Sequence, residues 1–395
     1  MKNEEIIIEQ EAQKKWDSRA KTWHEILENE SSVVNFEKGY ERFISVLKKF
    51  TPIINGKVLD IGTGTGMVAQ IIGENTASEV LGIDMSSAMI EQAQKTHRLK
   101  NLTFSQENIE TFSPETKFDF MASRGVFVSQ LPATKIIDFF EKITEIANEG
   151  CYFIFDFIKN KNNGDFPSER ITEINADYID RILKELGWVK VYNESNATNR
   201  IGIMVFHKPA SDGIYFATGN PLKIAELNNE LKDSKKKIYF YGIEIDEIKS
   251  DDLEKVLINK LKQSYEIIKH PVLCTDGGIF IEALNGFPGE NSKQTAQKLG
   301  GAGILKLLEN ATNRKAIRRN CIGYFDGKKV KTEIAEIECQ ISHEIREKYP
   351  AYELDKILIP NKKENLQKLT YSEIPLEYRT AMTELPQVAR FIKVL

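Results

Sequence analysis

At 395 residues, with 41% hydrophobic and 28% charged residues and a net charge of −4, the chain is too long for one ordinary core and too apolar for a disordered protein, so two globular domains of ~100–200 residues are expected. It has no apolar run near the ~18–20 residues that cross a bilayer, which argues against a membrane role. The acidic balance argues against broad nucleic-acid binding, where a basic face supplies most of the affinity. Cys151, Cys274, Cys321 and Cys339 lack CxxC spacing and read as core thiols, not as disulfides or zinc ligands. The opening MKNEEIIIEQEAQKKW has acids where a secretory signal is basic, which predicts a cytoplasmic protein.

Helical spacing covers 11–30 and 36–50 until TPIING breaks it. The strand KVLDIG follows, then a helix over 66–73, the strand EVLGID, a helix over 86–99 and the short strand NLTFSQ. FDFMASRG, a helix over 133–147 and the strand CYFIFDF continue the alternation, which predicts a doubly wound, mostly parallel α/β sheet. A helix over 171–186 and the strands WVKVYNE and IGIMVFHK complete the first unit. KPASDG at 208–213 clusters turn formers between two strand-like runs, so it is the expected linker between domains 1–209 and 213–395. The second unit opens with GIYFATGN and helices over 221–232 and 251–268. Strand-like PVLCTDGGIFIEAL, a helix over 293–309, hairpin-like AIRRNCIGYFDGKKVKTEIAEIECQI and a closing helix near 376–390 predict a second α/β domain with a mixed sheet.

VLDIGTGTG at 58–66 runs a strand into a turn whose Gly62, Gly64 and Gly66 let the backbone approach a ligand without Cβ clashes. Asp84 closes the next strand about twenty residues on, where an acid accepts the hydroxyls of a ribose. Met67 stands where a dinucleotide-binding GxGxxG has its last glycine. This pattern resembles the class I S-adenosylmethionine-dependent methyltransferases over residues 10–208, with a Rossmann-like sheet. The resemblance implies that Asp60, Gly62 and Gly64 hold the cofactor, Asp84 binds its ribose, Met85 packs on adenine, and Glu107 or Asn108 lies near the adenine amine. WDSRAKTW resembles the lid helix of small-molecule members, its alternative being an amphipathic helix with Trp16 and Trp23 packed inward. Methyl transfer needs positioning more than a base, so no residue is forced to be catalytic. Arg124 is a candidate clamp for an anionic acceptor and Asp156 a candidate proton acceptor, each with a purely structural alternative.

In YFATGNPLK, Thr218, Gly219 and Asn220 form a turn after an apolar strand and Lys223 enters the next helix, a phosphate cradle without the Walker A pattern. Some fifty residues on, Asp276 stands at a strand tip before two glycines, where a carboxylate holds Mg²⁺ or activates water. Together these segments resemble the inosine-triphosphatase family, which cleaves aberrant purine triphosphates to monophosphate and pyrophosphate, over residues 213–392 with ALNGFPG and a closing YR. The resemblance implies that Thr218, Gly219, Asn220, Lys223 and Lys260 hold the triphosphate, that Asp276 acts at a Mg²⁺-bound water, and that Glu247 is a metal ligand with Glu244 and Asp246 as rivals. Mg²⁺ would neutralise phosphate oxygens while the lysines stabilise the departing pyrophosphate. The resemblance also implies a homodimer through the C-terminal domain.

The base-recognition elements depart from that family. YELDK leaves Tyr352 as the stacking aromatic and Asp355 as the base-edge acid, with Leu354 where a second aromatic is usual. Glu377 and Tyr378 stand for the Ser and His of a Ser-His-Arg element of which only the arginine survives, as Arg379; Glu373 stands for a pocket lysine, and Thr275 replaces one acid of the usual Asp-Asp pair. The phosphate half reads as retained and the base half as rewritten. The expected protein is bifunctional, transferring methyl from S-adenosylmethionine to a small molecule or nucleotide and hydrolysing a modified or non-standard nucleoside triphosphate with Mg²⁺. Two alternatives stand beside it: a methyltransferase carrying a non-catalytic nucleotide-sensing module, and an RNA methyltransferase with an accessory dimerisation domain.

Overall fold

The computed structural model describes residues 13–14, 17–18, 20, 34–125, 131, 135–159, 174–194, 200–219, 221–231, 236–242, 248, 250, 252–349, 351–361, 368–375, 378 and 380–395. The chain divides into two compact units, Met1–Ser211 and Asp212–Leu395.

In the first unit, helix α1 (Val34–Phe50) precedes β1 (Lys57–Ile61), α2 (Met67–Asn75), β2 (Glu79–Asp84), α3 (Ser87–Thr96), β3 (Leu102–Gln106) and β4 (Phe118–Ser123). There follow α4 (Ile136–Ile146), β5 (Ala147–Ile158), α5 (Ala176–Glu185), β6 (Val189–Glu194) and β7 (Ile201–His207). The sheet order is β3-β2-β1-β4-β5-β7-β6, parallel except for β7, which runs antiparallel to both neighbours. The run Cys151–Phe157 is buried throughout, as a central strand covered on both faces requires. An aromatic core of Phe139, Phe140, Phe153, Phe155, Phe206 and Trp188 fills one side, and the Trp188 Nε1 donates to Thr144 Oγ1 at 2.8 Å. The strand order reverses between β1 and β4, so the crevice for a ligand opens at the carboxyl ends of β1, β2 and β4.

The second unit contains β8 (Gly213–Ala217), α6 (Pro221–Glu230), β9 (Lys237–Tyr241), α7 (Leu253–Ile268), β10 (Val272–Ile281), β11 (Pro288–Gly289), α8 (Ser292–Lys298) and α9 (Gly300–Leu307). It closes with the hairpin β12 (Lys315–Phe325) and β13 (Val330–Ile341), then β14 (Leu358–Pro360) and α10 (Leu385–Lys393). Its sheet, ordered β14-β13-β12-β10-β8-β9, is parallel across β9, β8 and β10 and antiparallel from β10 to β14. Asp252 caps α7 by accepting from Glu254 N and Lys255 N, and the helix lays Leu257, Leu261 and Ser264 into the core.

Three expected helices differ. The segment 293–309 is two helices, α8 and α9, because Gly300 takes φ +61 between them. The closing helix begins at Leu385, not near 376, since Pro386 fits only a first turn; a 3₁₀ turn at Thr380–Met382 precedes it. The helix expected over 171–186 begins at Ala176, where Asn175 accepts from Asp177 N; Ile174 before it bridges to Lys159 in extended form. Most of 11–30 lies outside the described residues.

Candidate active sites

The glycine loop of the first unit is pinned from below. Asp60, 1% exposed at the end of β1, accepts from Thr63 Oγ1 at 2.6 Å and from Ala69 N at 3.2 Å. Burial outweighs both bonds and pushes its carboxyl up to about 7. Gly62, Gly64 and Gly66 all have positive φ, and a Cβ on Gly66 would meet His97 and Phe104 at 2.7 Å, whereas one on Gly64 meets nothing within 4 Å. Asp84 stands across the turn, its Oδ2 accepting from Gly64 N and its Oδ1 from Ser86 N, both at 2.9 Å; burial raises its pKa.

Met85 follows half-buried, its carbonyl accepting from Gln106 Nε2 at 3.2 Å. Glu107 N donates to Asp84 O at 3.0 Å, and the Asn108 side chain accepts from Glu110 N at 3.0 Å. All seven expected cofactor residues thus gather at the carboxyl edge of β1, β2 and β3. Arg124 and Asp156 belong to the same edge after β4 and within β5. The Arg124 guanidinium lies 4.7 Å from the Tyr40 ring centroid; burial lowers its pKa against Asp156, Tyr40 and Asp60. Asp156 accepts from Gly125 N at 3.1 Å.

Sequence reasoning missed Tyr40, which a helix-face count alone does not distinguish from core. It also missed Asp17, which accepts from Ser86 Oγ at 2.5 Å and Ala88 N at 3.3 Å at the start of α3. The only signal for Asp17 was its place in WDSRAKTW, whose Trp16 and Trp23 lie outside the described residues.

In the second unit, Thr218 N donates to Tyr241 O at 3.0 Å, and Gly219 is exposed ahead of α6 with nothing within 4 Å of an added Cβ. Asn220, Glu244, Asp246, Glu247 and Arg379 lie outside the described residues. Asp276 stands not at a strand tip but in the middle of β10, because the ladder with β12 continues through the two glycines to Ile281; it is half-buried and accepts from Gly277 N at 2.9 Å. The two glycines after it have steric causes: a Cβ on Gly277 would meet Asn320 Oδ1, and one on Gly278 would meet Gly289 O, both at 2.1 Å. Lys260 is half-buried on α7, the helix packed against β10 and β12.

Lys223 does not stand by itself in a cradle. Its Nζ pairs at 2.9 Å with Glu384, a carboxylate 2% exposed at the start of α10. Glu384 Oε2 lies 3.8 Å from Arg318 Nη2, and Arg318 Nη1 donates to Asp355 at 3.1 Å. Tyr352 is exposed, and its hydroxyl donates to Ser292 O at 2.8 Å; burial, then Asp355, pushes that phenol up to about 12.

Residues 214–384 match the family model described as Ham1 family, and residues 54–197 match a methyltransferase-domain model. A dITP/XTP pyrophosphatase of Saccharolobus solfataricus is 34% identical over 160 residues, covering 40% of this chain and 81% of that protein. The chain belongs to the Ham1 family. Another dITP/XTP pyrophosphatase, of Methanopyrus kandleri, is 36% identical over 172 residues, covering 42% of this chain and 85% of that protein. The solved structure of a DhpI-SAH complex is 18% identical, covers 50% of this chain and 96% of that one, and gives a TM-score of 0.41. The protein thus joins a methyltransferase domain to a Ham1 domain, both enzymatic.

In this Ham1 domain Glu373 braces the backbone, its Oε2 accepting from Thr370 N at 2.9 Å and lying 3.6 Å from Arg346. Tyr378 is exposed. Arg318 and Glu384 were missed. The signal for Arg318 lay in the period of two along AIRRNCIG, where it falls on the same face as Ala316 and Ile322 while Arg319 faces the other way and pairs with Glu336 at 2.6 Å.

Proposed function

We propose that residues 1–209 bind S-adenosylmethionine and transfer its methyl group to a small molecule or nucleotide, and that residues 213–395 hydrolyse a non-standard purine nucleoside triphosphate to monophosphate and pyrophosphate with Mg²⁺. The observation that carries the second half is Asp276 in β10, two residues past the last pairing of that strand with β8, within a domain 34% identical to a dITP/XTP pyrophosphatase. S-adenosylmethionine suits the first site because Gly64 faces open space and Asp84 sits beside it with its carboxylate already oriented by two backbone N–H groups. When bound, the cofactor supplies an electrophilic methyl group. The chain's part is then positional: Gly62 and Gly64 admit the ligand backbone-close, Asp60 fixes the loop, Asp84 accepts from the ribose, and Met85, Glu107 and Asn108 flank the adenine.

Mg²⁺ takes one or two carboxylates together with phosphate oxygens and water. Asp276 is a donor of that kind, and Glu247 is the second proposed ligand. In this reading the phosphate oxygens of the substrate and water complete the set. When bound, the ion neutralises phosphate charge and lowers the pKa of a water. Thr218, Gly219, Asn220, Lys223 and Lys260 hold the triphosphate, Asp276 orients the attacking water, and Tyr352, Asp355 and Arg379 flank the base.

Full-length protein incubated with Mg²⁺ and a panel of nucleoside triphosphates tests this by pyrophosphate release. Asp276→Asn is expected to lower kcat by about 10²–10⁴-fold and to leave S-adenosylmethionine binding unchanged. Silence of the wild type across purine, pyrimidine and methylated bases sinks the hydrolytic half. One observation favours a second reading, a nucleotide-sensing module: Lys223 is already neutralised by Glu384. Tight binding of a triphosphate that stays intact, together with altered methyl transfer, decides for it.

A further inference from the structure

Arg318 places a charge on the core side of β12. Its cross-strand partners Ile279 and Ile337 belong to the apolar core of the second unit. A guanidinium there is costly unless its surroundings are anionic and its donors are used. The first condition holds: Asp355 and Glu384 flank it at 3.1 and 3.8 Å, and Tyr371 lies under it, 4.9 Å from its centre. The second does not. Among the described residues the bond from Nη1 to Asp355 is the one side-chain hydrogen bond of Arg318, and the rest of its N–H fork is open, with 21% of the side chain exposed. Glu384 Oε2 is likewise buried without a hydrogen bond.

The charges identify the missing acceptor. Lys223, Glu384, Arg318 and Asp355 alternate in sign and sum to zero. A phosphate beside Arg318 would be repelled by the two carboxylates, Asp355 and Glu384, whereas a neutral carbonyl brings an acceptor without a net charge. Lys223, at the other end of the row and 29% exposed, remains the cation for phosphate.

We propose that Arg318 is the base-reading residue of the Ham1 domain, giving its open N–H groups to O6 and N7 of a 6-oxopurine while Asp355 and Glu384 hold it in place. It rests on the reading of this domain as a purine triphosphate pyrophosphatase. The geometry is that of an arginine fork on the O6/N7 edge; a 6-amino group puts donor against donor there. The cation lost where Glu373 stands for a pocket lysine is thereby supplied from β12, and Glu384 is a positioning residue that ties the phosphate lysine to the base reader.

The test measures kcat/KM for ITP and ATP, and Kd for inorganic tripolyphosphate, on the full-length protein. Wild type favours ITP. Arg318→Met lowers the ITP/ATP ratio roughly 10–100-fold, through KM for ITP, with tripolyphosphate affinity unchanged. Arg318→Lys keeps the charge between Asp355 and Glu384 but not the fork, so it folds and loses most of the same discrimination, which covers any misfolding of the first variant. An unchanged ratio in Arg318→Lys overturns the proposal, as does an equal loss of tripolyphosphate affinity, which would make Arg318 a phosphate ligand. If wild type cleaves neither nucleotide, the hydrolytic reading fails, and the Kd ratio of ITP to ATP in wild type and Arg318→Lys decides this inference by the same criterion.

Discussion

Replacing Glu384 with Gln conserves volume and removes one negative charge from a side chain that is 2% exposed. Burial alone would raise the carboxyl, but Lys223 at 2.9 Å and Arg318 at 3.8 Å outweigh it and bring the pKa from 4.5 to about 2. The folded value lies below the unfolded one, so the stabilisation is fully present above the unfolded pKa and is lost as pH falls from there through the folded pKa. At ~1.4 kcal/mol per pKa unit this amounts to roughly 3 kcal/mol at pH 7. Breaking a buried pair by removing one partner costs about 3–5 kcal/mol, and the partial exposure of Lys223 favours the lower end. Urea titration of full-length Glu384→Gln should therefore show a loss of about 3 kcal/mol at neutral pH, equivalent to a Tm drop of roughly 6–12 °C. At pH 3, where wild-type Glu384 is largely protonated in the unfolded chain, the difference should shrink to about half. A loss under ~1 kcal/mol at neutral pH, or one that does not change with pH, refutes the claim that this carboxylate balances two cations.

Asp60 works in the opposite direction. Its folded pKa of about 7 exceeds the unfolded 3.8, so wild-type stability should fall as pH rises through that window, and Asp60→Asn should flatten the profile in thermal melts taken from pH 4 to pH 8. At the glycine loop, Gly66→Ala combines φ +87 with a Cβ at 2.7 Å from two rings, whereas Gly64→Ala carries φ +55 in open space. Melting curves should show Gly64→Ala losing about 1–2 kcal/mol and Gly66→Ala clearly more; equal losses would show that the contacts of His97 and Phe104 do not constrain the loop.

The parts of the fold that were legible are those fixed by local chemistry. Apolar runs such as CYFIFDF announce strands buried on both faces, and a glycine loop followed by an acid at the end of the next strand brings Asp60, Gly64 and Asp84 together without knowledge of any distant contact. Helix limits were less legible: apolar spacing continues through 293–309, so periodicity alone does not register that Gly300 adopts a left-handed turn. The row of charges in the second unit was not legible at all, because its members are brought together only by tertiary structure: Lys223 and Glu384 are 161 residues apart, and Arg318 and Asp355 are 37 apart.

This difference bears on the base site. Position by position, Glu373, Glu377 and Tyr378 look like the loss of the lysine, serine and histidine donors of the purine pocket, with Arg379 alone retained. In three dimensions Glu373 is occupied with Thr370 and Arg346, while a cation from another strand lies between Asp355 and Glu384 with most of its donors open. A buried guanidinium is stabilised by two carboxylates but not saturated by them, and each unsatisfied N–H in a site of low dielectric favours a ligand that brings an acceptor. The same row makes Lys223 and Arg318 share one carboxylate, Glu384, at 2.9 and 3.8 Å.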